Sequence, residues 1–168
     1  SDVCSSDLLT GSATDPNNDA LTYCWEEFDL GPAGAPNSPS GNAPIFRSFN
    51  PVNNPTRVFP KLTNLLNNTQ TMGEILPTYS RNLTFRLTAR DNKNGGGGIG
   101  KHQIAFSVTA NAGPFVVTAP NTAVSWSGNT TQTISWNVAN TNVSPVNVTN
   151  VKILLSTDGG VTFSTVLS

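Results

Sequence analysis

The chain has 168 residues, of which 36% are hydrophobic and only 11% charged, with a formal net charge of −1. That length holds one large domain or one and a half small ones. Asn, Thr, Ser, Gly and Pro replace the missing charges, a mixture that favours strands and turns over helices and is common in extracellular proteins. With no basic stripe to neutralise phosphates, nucleic-acid binding is not expected. No apolar stretch approaches the ~18–20 residues a membrane-spanning helix needs.

In chain order, residues 2–8 (Asp2-Val3-Cys4-Ser5-Ser6-Asp7-Leu8) resemble the translated end of a common sequencing adapter. Residues 1–8 are therefore expected to be an artefact, with the native sequence starting near Leu9; a natural N-terminal segment is the alternative. On the first reading Cys4 and Cys24 form no disulfide, and one thiol defines no redox compartment. A short strand is expected over 9–14, then the turn Asp15-Pro16-Asn17-Asn18-Asp19. Residues 20–28 alternate, with Leu21, Tyr23 and Trp25 on one face.

Residues 29–80 are rich in Pro, Gly and Asn and too long for an ordinary loop. Ile45, Phe46, Phe49, Val58 and Phe59 are too apolar for a solvated linker, so the segment reads as an ordered insertion lying over a sandwich. Within it, 62–66 suggests a helical turn and 72–76 an edge strand. Residues 81–91 alternate most cleanly, with Leu83, Phe85, Leu87 and Ala89 on one face. A turn containing Gly95 to Gly98 follows, then 103–109 alternates through Ile104, Phe106 and Val108, which completes a hairpin.

Asn111-Ala112-Gly113-Pro114 punctuates the chain, and a second module begins. Strands are expected at 115–118, around Val124 and Trp126, and at 131–139, 151–155 and 161–163. This order suits an immunoglobulin-like sandwich, which needs ~100 residues. The expected architecture is thus all-β: an immunoglobulin-like β-sandwich at 9–110 with an insertion at about 29–80, then a second one at 114–168, truncated at its C-terminus.

Chemistry-bearing residues are few. One histidine, His102, cannot form a two-histidine helical zinc motif, and beside Lys101 at a strand end it reads as exposed. Cys24 on a half-buried strand reads as inert packing. No catalytic residue is assigned. Asp15, Asn17, Asp19 and Asp91 offer hard oxygens for calcium, which wants six to eight; alternatively Asp15 and Asn17 hydrogen-bond their own turn. Glu26, Glu27 and Asp29 read as a solvated strand edge. Trp25 and Trp136 lie in phase with apolar neighbours and read as core; Trp126 reads as partly exposed. Five Asn-x-Ser/Thr sequons start at Asn67, Asn82, Asn129, Asn142 and Asn147 and read as Asn/Thr-rich strands and loops, or as glycan sites in a eukaryotic secreted protein.

Residues 156–163 (Ser156-Thr157-Asp158-Gly159-Gly160-Val161-Thr162-Phe163) resemble the Asp-box of sialidase propellers, a structural turn there. Ser156 and Asp158 are expected to bond turn amides, Gly160 to aid a positive φ, and Phe163 to tuck beneath. Residues 11–25, ending Leu21-Thr22-Tyr23-Cys24-Trp25, with Phe85-Arg86-Leu87-Thr88-Ala89-Arg90-Asp91-Asn92, resemble polycystic-kidney-disease-type and cadherin-like repeats. More widely, residues 9–168 resemble the region downstream of the catalytic domain in bacterial reprolysin-like zinc metalloproteases of Bacteroidetes type. The markers are Gly31-Pro32-Ala33-Gly34-Ala35-Pro36, Pro44-Ile45-Phe46-Arg47-Ser48, Glu74-Ile75-Leu76-Pro77 and Ile153-Leu154-Leu155-Ser156-Thr157-Asp158-Gly159-Gly160.

The resemblance implies a secreted or cell-surface protein whose zinc sits in a catalytic domain outside this chain. It also implies a non-catalytic segment that contacts adjacent domains of its parent and spaces them, or holds a protein or glycan substrate. The alternative is an adhesin-like or glycan-binding surface module with no protease attached. The sequence departs from that family at Val148, and at Ile99, where relatives carry cysteine, so no disulfide to Cys24 is implied.

Overall fold

The computed structural model describes residues 7–167; Cys4 and the rest of 1–6 lie outside it. The chain is mostly β-structure and contains, among the described residues, one short helix. It divides into two compact units, one running to Ala110 and one from Asn111. In chain order the elements are β1 (Asp7–Thr10), β2 (Thr22–Glu27), β3 (Thr56–Phe59), α1 (Leu62–Asn67), β4 (Arg81–Arg90), β5 (Ile99–Val108), β6 (Val116–Ala119), β7 (Ser135–Asn137), β8 (Leu154–Leu155) and β9 (Thr165–Val166). No helix among the described residues is long and apolar enough to cross a membrane.

In the first unit β2, β4 and β5 form an antiparallel sheet in that order, and β1 pairs antiparallel with β3. Residues of opposite phase point to opposite faces of a strand. The alternating row of β4 therefore buries Leu83, Phe85, Leu87 and Ala89, and the matching row of β2 carries Tyr23 and Trp25. The β4–β5 hairpin runs through ten pairs without a register shift.

The opposite wall comes from the insertion. Ile45, Phe46, Phe59 and Ile75 join the core, and the ring of Phe85 lies 4.5 Å from Phe59 and 6.0 Å from Phe46, distances at which tilted aromatic pairs attract beyond their burial. Leu9 of β1 packs against the same cluster. Helix α1 stops at Asn68, whose left-handed conformation turns its N–H back onto the carbonyls of Asn64 and Leu65. No strand forms over 72–76. Instead Glu74 makes isolated bridges to Phe46 and Thr71, because its carboxylate is drawn inward, as described below.

In the second unit β6 pairs with β7 and β8 with β9, both antiparallel. These strands are shorter than the alternation suggests. No strand forms around Val124 and Trp126 or over 161–163. Trp136 is 38% exposed rather than buried, stacked at 6.1 Å on Phe115, while Trp126 is 50% exposed.

Candidate functional site

Four groupings of reactive side chains stand out. The first joins two turns of the first unit. Carboxylate oxygens of Asp15, Asp19 and Asp91 lie within 4.8 Å of one another. The turn places them: Asp15 Oδ1 accepts the backbone N–H groups of Asn17 and Asp19 at 2.9 and 3.0 Å, so Asn17 enters through its main chain. At the end of β4, Asp91 accepts the amides of Lys93 and Gly98 at 3.1 and 2.8 Å. Those two amides, Gly98 foremost, hold its carboxyl below the usual value.

Lys93 donates from Nζ to Asp19 Oδ1 at 3.0 Å, while Asp19 Oδ2 is a buried atom without a partner. The cluster thus combines three carboxylates with one ammonium. Several oxygens needed for calcium are present, and the self-bonded turn also exists.

The second grouping is the hairpin between β8 and β9. The Ser156 hydroxyl donates to Asp158 Oδ1 at 2.7 Å, and Asp158 accepts from the Val161 and Thr162 amides and the Thr162 hydroxyl. The Gly160 amide donates to Ser156 Oγ, and Gly159 and Gly160 both take positive φ. Thr162, then Ser156, hold the Asp158 carboxyl far below its ordinary value. Phe163 does not tuck beneath: it is 44% exposed.

The third grouping is not a solvated edge. Glu27 and Arg81 have side chains 0% and 1% exposed and pair at 3.1 Å. Glu27 Oε2 accepts the amides of Ile45 and Phe46 at 2.6 and 2.7 Å. Arg81 donates to the Ala43 carbonyl and lies 3.7 Å from Asp29, which accepts the Thr84 amide. Two buried carboxylates therefore share one guanidinium. Burial pushes Glu27 up to about 7, against the pull of the Phe46 and Ile45 amides and of Arg81, and with help from Asp29. Of the residues read as solvated, only Glu26 keeps an appreciably exposed side chain, at 26%, paired with Arg86 at 3.0 Å.

A related pair, Arg57 and Glu74 at 2.7 Å, pins the insertion to itself. Arg57 sits between the rings of Phe49 and Phe59, at 4.0 and 4.1 Å, and donates to the carbonyls of Trp25 and Arg47. Glu74 accepts the Lys61 amide. Glu27 is in phase with Tyr23 and Trp25, Arg81 with Leu83 and Phe85, and Arg57 with Phe59. A charge in step with an apolar row was the available sequence signal for both networks.

The fourth grouping is a shallow pocket of about 250 Å³ against β2, lined by Tyr23, Cys24, Trp25, Phe49, Val52 and Arg57 among others. The buried Cys24 thiol donates to the Phe49 carbonyl at 3.3 Å, and burial raises its pKa, which keeps it protonated. His102 is exposed on β5, opposite Leu87, and meets neither this thiol nor an acid in any hydrogen bond among the described residues. No family model, curated protein or solved structure matches the chain.

Proposed function

We propose that this chain is a non-catalytic accessory segment of an exported metalloprotease, made of an immunoglobulin-like, polycystic-kidney-disease-like sandwich followed by a second immunoglobulin-like unit. The observation that carries the reading is the employment of the reactive groups. Glu27 and Asp29 are consumed as buried struts that tie the insertion to the sheet, and Glu74 as one that ties the insertion to itself. The Cys24 thiol is buried and protonated, and among the described residues no acid hydrogen-bonds to His102 to orient it. Such a body suits spacing a neighbouring domain or presenting substrate to it; fold alone does not choose between these roles.

The complete reading frame tests the proposal. A helical pair of histidines four apart, with an adjacent Glu, is expected upstream of Leu9; a complete frame lacking it favours the adhesin reading. Exposure of Trp126 and Trp136 favours that second reading's glycan contacts, and a glycan-array screen with the two tryptophans replaced by alanine decides it.

Calcium at Asp15, Asp19 and Asp91 belongs to either reading. The unpartnered Asp19 Oδ2 favours it, with Lys93 as the displaced cation. A melting midpoint higher in calcium than in chelator is expected. An unchanged midpoint leaves the cluster to Lys93.

A further inference from the structure

The two edges of the first unit's three-stranded sheet are treated differently. The β2 edge is covered: Tyr23 exchanges both backbone hydrogen bonds with Val52 of the insertion, at 2.7 and 3.0 Å. Among the described residues, no strand pairs with the β5 edge. β5 is ten residues long, has no proline and no register shift, and carries a single formal charge, Lys101. All of its residues except Phe106 and Val108 are exposed, including Ile99 at 59% and Ile104 at 44%. Proteins ordinarily blunt such an edge with proline, bulges, short length or several charges. Alternate N–H and C=O groups of β5 point away from β4 and remain able to pair.

We infer that β5 is a self-association surface on which a second copy of this chain pairs antiparallel, joining two three-stranded sheets into one. The fitting register centres on Ile104, which then faces Ile104 of the second copy. This register preserves face: the core-side row of His102, Ile104 and Phe106 meets the same row. Phe106 lies opposite His102, so exposed apolar surface is covered on both copies. It also satisfies charge. Lys101 faces Ser107 and Gln103 faces Ala105, so no like charges oppose each other. A heterologous extended peptide lacks this internal match.

Sedimentation of the full chain across micromolar to submillimolar concentrations tests the inference. A reversible monomer–dimer equilibrium is expected. Ile104→Lys places two ammonium groups opposite each other at the symmetry axis and weakens association by at least about tenfold, since like-charge juxtaposition costs several kcal/mol. A second pair of variants fixes the register and stays informative if that lysine perturbs folding. In a Cys4→Ser background, mild oxidation links Ile104→Cys into a dimer but not Gln103→Cys. Opposed residues lie within disulfide reach, whereas diagonal neighbours about 7–8 Å apart do not. A chain that stays monomeric throughout, an Ile104→Lys protein that dimerises as tightly as the parent, or equal cross-linking of the two cysteine variants overturns the proposal.

Discussion

The two units share an alternating pattern, yet they bury very different amounts. Every large hydrophobic side chain that is fully buried lies between Cys24 and Ala89. In the second unit the only buried residue among those described is Gly160, while Trp126, Val143, Leu154, Leu155 and Phe163 all stand at 40% exposure or more. The difference lies in the opposite wall. An alternating strand offers half of a core; the first unit completes it with Ile45, Phe46, Phe59 and Ile75 from the insertion, and among the described residues the second has no such segment. Periodicity specifies which side chains face inward, and burial depends on what meets them.

The comparison breaks most readily at matched aromatic truncations. Phe85→Ala removes a ring with no exposed surface and is expected to cost the first unit about 3–5 kcal/mol. Phe163→Ala in the second unit is expected to stay within about 0.5 kcal/mol. Urea unfolding followed through Trp25, the only tryptophan of the first unit, reads the first variant; Trp126 and Trp136 read the second. Equal losses would show that the second unit holds a core of its own. Arg81→Met is expected to rival Phe85→Ala, at about 3–5 kcal/mol. It leaves Asp29 and Glu27 buried around one missing cation, and breaking a buried pair from one side is costly.

A smaller loss is expected at Gly31, where the insertion begins. A Cβ there would collide with the backbone of Asn42 and Ala43, and Ala43 supplies the carbonyl that receives Arg81. Gly31→Ala is therefore expected to cost about 1–3 kcal/mol, the usual range for overpacking, in the same urea titration. Gly34→Ala, with open space around its Cβ position, is the control and should leave the midpoint in place.

These contrasts also show how far the sequence could be read. The hairpin β4–β5 was legible because its alternation runs long on both strands and a glycine turn joins them. The helical turn at α1 was legible from its apolar spacing, and the insertion from an apolar content that a solvated loop does not carry. The second unit's strands were overread, since alternation at 131–139 yields only Ser135–Asn137 when no opposing layer reinforces pairing. The carboxylates of Asp15 and Asp91 were grouped from turn chemistry and strand ends. By contrast Glu27 reads as part of a solvated strand edge, and nothing local marks Arg81 or Glu74 as buried, because Glu27 pairs with Arg81 across 54 residues and Glu74 with Arg57 across 17. Only the phase of Glu27, Arg81 and Arg57 with the core rows marks the two networks.

The smallest effects are expected in pH dependence, and there the two units should differ in sign. Glu27 rises from 4.5 to about 7 on folding. Between those values the native state keeps a proton that the unfolded chain has released, so this contribution is full below about 4.5 and is lost as pH rises through 7. Asp158 moves the other way, held below 3.8 by Thr162 and Ser156. Its contribution is present above 3.8 and disappears as pH falls further. Urea midpoints read through Trp25 should decline from pH 4.5 to 7, and Glu27→Gln, which cannot release a proton, should flatten that slope. Midpoints read through the second unit should instead drop only in acid, and Asp158→Asn should remove the drop. A first unit that gains stability across the same window would mean that the amides of Ile45 and Phe46, together with Arg81, outweigh burial and keep Glu27 ionised. The strut would then be a full ion pair in which Arg81 balances two charges.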